Sequence, residues 1–212
     1  MAQLITRKPK DRDFIETPEG LLFCVVGYLH PPDKYTAYLK YSPAAEGRWQ
    51  RQGTAYHREL AYYHAHQVGQ TLDTLQAHYP GYIHYCPVRD MTFSMVPHDR
   101  VQTYYCPEDR LAQLLNAPAD PLEEEVARLI EGIRRATDVP LINLGITGSI
   151  LLNIHDFSFS DIDLMVLILM IHRANSNGNH PPLSRLYFLQ VIPYLGYEDL
   201  GSEGQGLPQE VT

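Results

Sequence analysis

Residues 144–166 read LGITGSILLNIHDFSFSDIDLMV. The reading of the whole chain turns on this stretch. A short apolar strand ends in Thr147-Gly148-Ser149, and Ile150–Ile154 can open a helix directly after it. Gly148 permits a close backbone approach, and the free N–H groups at the start of a helix favour phosphate. Ser149 can cap that helix or donate its hydroxyl to a phosphate oxygen. Asp156 to Ser160 is a turn, and Asp161 starts the next strand.

Side chains alternate along a strand, so Asp161 and Asp163 share one face while Ile162, Leu164 and Val166 pack the other. Two carboxylates on one face repel unless something neutralises them. A pair of Mg²⁺ ions, about 3.5–4 Å apart, answers that need, since Mg²⁺ is held by one or two carboxylates plus substrate phosphates. Taken singly, Gly148-Ser149 is an ordinary strand-to-helix turn and Asp161/Asp163 a solvated strand end. Their occurrence together, with eleven residues between Ser149 and Asp161, points to one site with a phosphate cradle and a metal platform.

This pattern resembles the nucleotidyltransferase superfamily that includes DNA polymerase beta, in which a helix-opening Gly-Ser is followed by an acidic-hydrophobic-acidic triplet. The stretches RDFIETPEGLLFCVVGY and YTAYLKY look like a group of archaeal predicted nucleotidyltransferases with a similar leading domain. The resemblance implies an α+β fold whose minimal core is a mixed sheet with flanking helices. It also implies nucleoside triphosphate binding by Gly148 and Ser149, and two Mg²⁺ ions on Asp161 and Asp163. The activity implied is transfer of a nucleoside monophosphate to a hydroxyl on RNA, a small molecule or a protein, with pyrophosphate release. Family members bring a third carboxylate from a later strand. Only Glu198, Asp199, Glu203 and Glu210 follow here, so a degenerate nucleotide- or RNA-binding module is the alternative.

Outward from that stretch, Asp120 is a natural helix N-cap, Pro121 fits the first helical position and Glu123 completes a capping-box-like pair. Leu122, Val126, Leu129, Ile130 and Ile133 then make one apolar stripe. Asn116–Asp120 reads as a linker. We therefore expect a mixed, hairpin-containing domain over 1–115, a core over 116–195 and a flexible tail over 196–212. In the first domain, Leu21–Tyr28 is a buried strand, and Tyr35, Ala37, Leu39 and Tyr41 line one face of the next. Val68, Leu72 and Leu75 have helical spacing, Met91–Val96 reads as a strand, and a short helix opens at Pro107. Leu183–Leu195 forms a strand or a helix.

The chain has 212 residues, 44% of them apolar and 20% charged, which excludes global disorder. The net charge of -8 is concentrated after residue 110, so no global basic footprint for nucleic acid exists. Lys34, Lys40, Arg48 and Arg51 could make a local patch beside base-stacking tyrosines, and Arg7-Lys8-Pro9-Lys10 reads as a solvated arm. His57, His64 and His66 lack a companion cluster with zinc-like spacing. Three scattered cysteines make buried thiols in a reduced, cytoplasmic setting. The N-terminus has no apolar leader, and the longest apolar run is too short for a membrane span.

Overall fold

Leu22–Val25 and Lys34–Ala44, on either side of His30-Pro-Pro-Asp, become paired strands because apolar and β-branched or aromatic residues suit a half-buried pleated surface, the first stopping short of the expected Tyr28. The computed structural model describes residues 7–59, 65–87, 90–170 and 183–191. The N-terminal part comprises β1 (Phe14–Glu16), β2 (Leu22–Val25), β3 (Lys34–Ala44), β4 (Trp49–Arg51) and β5 (Thr54–Arg58). These are followed by α1 (Ala65–His78), β6 (Ile83–Cys86), β7 (Met91–Pro97) and β8 (Thr103–Tyr105). Then come α2 (Pro107–Asn116), α3 (Pro121–Ala136), β9 (Leu144–Thr147), α4 (Gly148–Leu151), β10 (Ile162–Met170) and β11 (Leu183–Val191). The fold is α+β.

The first sheet runs β4-β5-β3-β2-β1-β8, with β7 added to β3 and β6 to β7. The long strand β3 curls it, pairing with β7 at Lys34–Thr36, with β2 at Ala37–Tyr41 and with β5 at Tyr41–Ala44. Between β2 and β3 the register jumps from Leu22↔Tyr41 to Phe23↔Leu39, so Lys40 is the extra residue of a β-bulge. The bulge corrects the expected single face of β3. Tyr35, Ala37 and Leu39 line one core with Phe23 and Val25, whereas Tyr41 packs on the opposite side with Phe14, Leu22 and Cys24.

The second sheet runs β11-β10-β9. Every strand pairing in it is antiparallel, where a mixed sheet was expected. The reason is the length of α4. The helix starts at Gly148, earlier than expected, and ends after one turn; Asn153 then takes φ +55° and reverses the chain. One turn cannot carry the chain back along the strand, so β10 begins beside the end of β9, with Asp163 opposite Thr147. Residues 141–143 form a 3-10 turn instead of strand.

The inner face of this sheet buries Leu144, Ile146, Ile162 and Leu164 against Leu111 and Leu114 of α2 and Leu122, Val126 and Ile130 of α3. Gly145 lets the start of α2 lie flush on β9, since a Cβ there would fall 2.7 Å from the Pro107 Cβ. A third cluster joins the two sheets: Phe14, Leu22, Cys24, Tyr41 and Tyr56 meet Leu151, Leu152 and Ile154. Arg51 crosses the same junction, donating to the Leu152 carbonyl at 3.3 Å and pairing with Glu16 at 2.7 Å.

Candidate functional site

The Gly-Ser turn and the carboxylate strand are brought together by the antiparallel register of β9 and β10. Gly148 holds φ +69°, and a Cβ at this position would run into the Asp163 carboxylate, with its Cγ only 3.0 Å away. Asp163 therefore lies directly over the glycine. Asp161 is near enough for its charge to act on Asp163. Ser149 follows Gly148 inside the single turn of α4 and is 8% exposed. Thr147, with no side-chain cap, takes the N-cap position expected of Ser149. Its hydroxyl instead donates to the Arg12 carbonyl at 2.8 Å, tying the turn to the N-terminal sheet.

That sheet also shapes the electrostatics. Burial pushes the Asp163 carboxyl above its ordinary value, and the neighbouring Asp161 charge adds to the push. The Lys40 ammonium and the Arg12 and Arg58 guanidiniums oppose it. None of these three cations was among the residues picked out for the site. Their signal in the sequence was only scattered lysine and arginine, with no spacing relation to residues 144–166.

A second cluster escaped the sequence reading as well. Asp120, Glu123 and His155 bring one ligand atom each within 4.8 Å of one another, and among the described residues no other such group of three occurs. Its chemistry is that of a helix cap. Asp120 Oδ1 accepts from the Leu122 and Glu123 amides, and Oδ2 meets His155 Nε2 at 2.7 Å. Glu123 accepts from the Ala119 amide at 2.8 Å and pairs with Arg110. A cation would have to displace these donors, so the cluster reads as the seal on the start of α3.

The remaining expectations fare unevenly. β11 is a strand, and its register puts Gln190 opposite Asp163, with no acid anywhere in LSRLYFLQV. Glu198, Asp199, Glu203, Glu210 and His64 lie outside the described residues, as does the 196–212 tail. The basic patch is not formed. Lys40 is 6% exposed, Arg51 is tied to Glu16, Lys34 pairs with Asp33 at 3.0 Å, and Arg48 stacks 4.0 Å over the Phe159 ring. Among the tyrosines offered for base stacking, Tyr41 and Tyr104 are core residues. Nor is the N-terminal arm solvated: Arg7 and Lys10 both reach Glu108, and Arg7 also pairs with Asp13 at 2.7 Å. The cysteines are free, Cys24 is buried, and burial pushes the Cys106 thiol up to about 12, leaving it unreactive.

Compared with known proteins, the chain is similar to an uncharacterized protein of Methanocaldococcus jannaschii, 29% identical over 163 residues. The match covers 75% of this chain and 47% of the relative, so the chain spans about half the length of the curated relative it matches. No family model matches the chain. No solved structure matches it. Among the described residues, no helix is long and apolar enough to cross a membrane.

Proposed function

We propose that the chain is a nucleotidyltransferase that moves a nucleoside monophosphate from a nucleoside triphosphate to a hydroxyl acceptor. One observation carries the reading: Asp163 occupies the space left by the missing Cβ of Gly148, and the charge of Asp161, two residues earlier, acts on it. The two carboxylates offer the hard oxygen donors that suit Mg²⁺. Bound there, Mg²⁺ supplies Lewis-acid stabilisation of the charge that develops on the phosphate oxygens.

The rest falls to the chain itself. The Gly148-Ser149 turn meets the polyphosphate beside the Asp163 carboxylate, and Thr147 anchors that turn through Arg12. An acceptor oxygen attacks the α-phosphorus in line, the bond from that phosphorus to the bridging β-oxygen breaks, and pyrophosphate departs. Catalysis of this kind is mainly positioning and charge stabilisation. The expected setting is the cytoplasm, and the acceptor is RNA, a protein side chain or a small molecule.

The second reading, a binding module without turnover, is favoured by one fact: β11 carries Gln190 opposite Asp163 and no carboxylate. Equilibrium binding of non-hydrolysable ATP and GTP analogues, with and without Mg²⁺, tests the site in wild type and Asp163→Asn. Mg²⁺-dependent binding that the variant loses is the expected result, and binding indifferent to both would overturn the reading. Pyrophosphate release from any of the four nucleoside triphosphates then separates the enzyme from the module.

A further inference from the structure

Lys40 is a buried lysine beside a backbone irregularity in β3. In a regular strand, the residue beside Tyr41 faces the other side of the sheet. Lys40 shares by alternation the face of Tyr38, and the bulge turns Tyr41 to that face as well, the one that packs on Leu151, Leu152 and Ile154. The Lys40 Nζ lies 5.5 Å from the centre of the Phe14 ring and 5.8 Å from that of Tyr41. Both rings belong to the cluster against which the segment following Gly148-Ser149 is packed. A lysine 6% exposed is rare, because burying an ammonium is costly unless negative charge is close. Bulges recur beside active sites for this purpose, to re-aim one side chain.

Positive charge from the N-terminal part of the chain reaches the carboxylate strand. The charges of Lys40 on β3, Arg58 on β5 and Arg12, just before β1, all act on Asp163. Arg58 sits directly opposite Tyr41 on β5, and Arg12 also meets Asp11 at 3.5 Å. Cations whose charge acts on the carboxylate strand oppose a bare divalent ion there and favour a ligand that brings its own negative charge. A metal-bound triphosphate does so. The single turn of α4 is moreover too short for a helix dipole of any weight, so the phosphate-binding charge has to come from elsewhere.

Resting on the nucleotidyltransferase reading, we infer that Lys40, flanked by Arg12 and Arg58, is the polyphosphate-binding residue of the site, and that the N-terminal sheet forms half of the nucleotide pocket. The pocket thus distinguishes triphosphates from monophosphates by charge contributed from outside residues 144–166.

Calorimetric titration of the full chain tests this with three probes in Mg²⁺: α,β-methylene-ATP, AMP and inorganic tripolyphosphate. Lys40→Met is expected to weaken the ATP analogue and tripolyphosphate at least tenfold while changing AMP by less than threefold. Lys40→Arg, which keeps the charge, should recover most of the loss. Thermal melts establish that each variant folds. If Lys40→Met does not fold, Arg58→Gln is titrated instead, with the same ordering of losses expected at smaller size. Unchanged binding of the triphosphate probes, or an equal loss for AMP, overturns the inference. If wild type binds tripolyphosphate through Lys40 but binds neither nucleotide, the nucleotidyltransferase reading fails and the role of Lys40 stands.

Discussion

Gly148 is held at φ +69° with the Asp163 carboxylate against its Cα, and two separate constraints therefore exclude every other residue. The left-handed backbone costs a non-glycine residue about 1–3 kcal/mol. A Cβ would in addition displace the carboxylate. Gly148→Ala is expected to lower stability by at least that amount in urea denaturation and to abolish Mg²⁺-dependent nucleotide binding. A variant of wild-type stability that still binds would show that Asp163 does not depend on this gap. The glycine was legible in the sequence as a point of close approach. That the approaching group is Asp163 was not, because contact across fifteen positions depends on the register of β9 and β10 and leaves no local mark.

The helix α3 is the element most fully written in its own residues. Asp120 caps it as expected, and the Glu124 amide donates to the Asp120 carbonyl at 3.0 Å to close the first turn. Glu123, assigned to a capping box, reaches back to the Ala119 amide instead and is claimed on its other oxygen by Arg110. Asp120→Ala removes the acceptor for two amides and the partner of His155. A loss of about 1–2 kcal/mol is expected in urea denaturation, with Asp120→Asn restoring most of it by keeping the cap. A change of only a few tenths would mean that the cap is dispensable. By contrast, α4 was drawn too long. Ile150–Ile154 has helical composition, but Leu151, Leu152 and Ile154 are claimed by the N-terminal sheet, and that packing ends the helix after one turn. Likewise, the Leu183–Leu195 apolar run fits strand or helix alone, and pairing with β10 makes Leu183–Val191 a strand, residues 192–195 lying outside the described residues.

At the scale of the whole molecule, the N-terminal segment is bound to α2 through ions nearly a hundred positions apart. Burial would raise the Glu108 carboxyl, but hydrogen bonds from Arg7 and Lys10 outweigh it and hold the group below its ordinary value. The unfolded chain thus binds this proton more readily than the folded one. The stabilisation is present above the ordinary glutamate value of 4.5 and is lost as pH falls through the lower folded value. Glu108→Gln is expected to cost about 1–3 kcal/mol at neutral pH, the gap to wild type closing on acidification below that range. A gap independent of pH would mean that the ion contacts contribute nothing. The same long-range docking carries Arg12, Lys40 and Arg58 to the carboxylates.

Local physics decides what is encoded locally. Capping at Asp120, the turn at Asp156–Ser160 and the strands flanking His30-Pro-Pro-Asp follow from side-chain chemistry over a few residues. Tertiary structure decides what depends on partners: the antiparallel course of β10, the bulge at Lys40, the burial of a lysine that reads as surface, and the use of Glu123 by Arg110. In each of these, a group distant in sequence offers a better partner than the neighbours do, and periodicity carries no information about which distant group arrives.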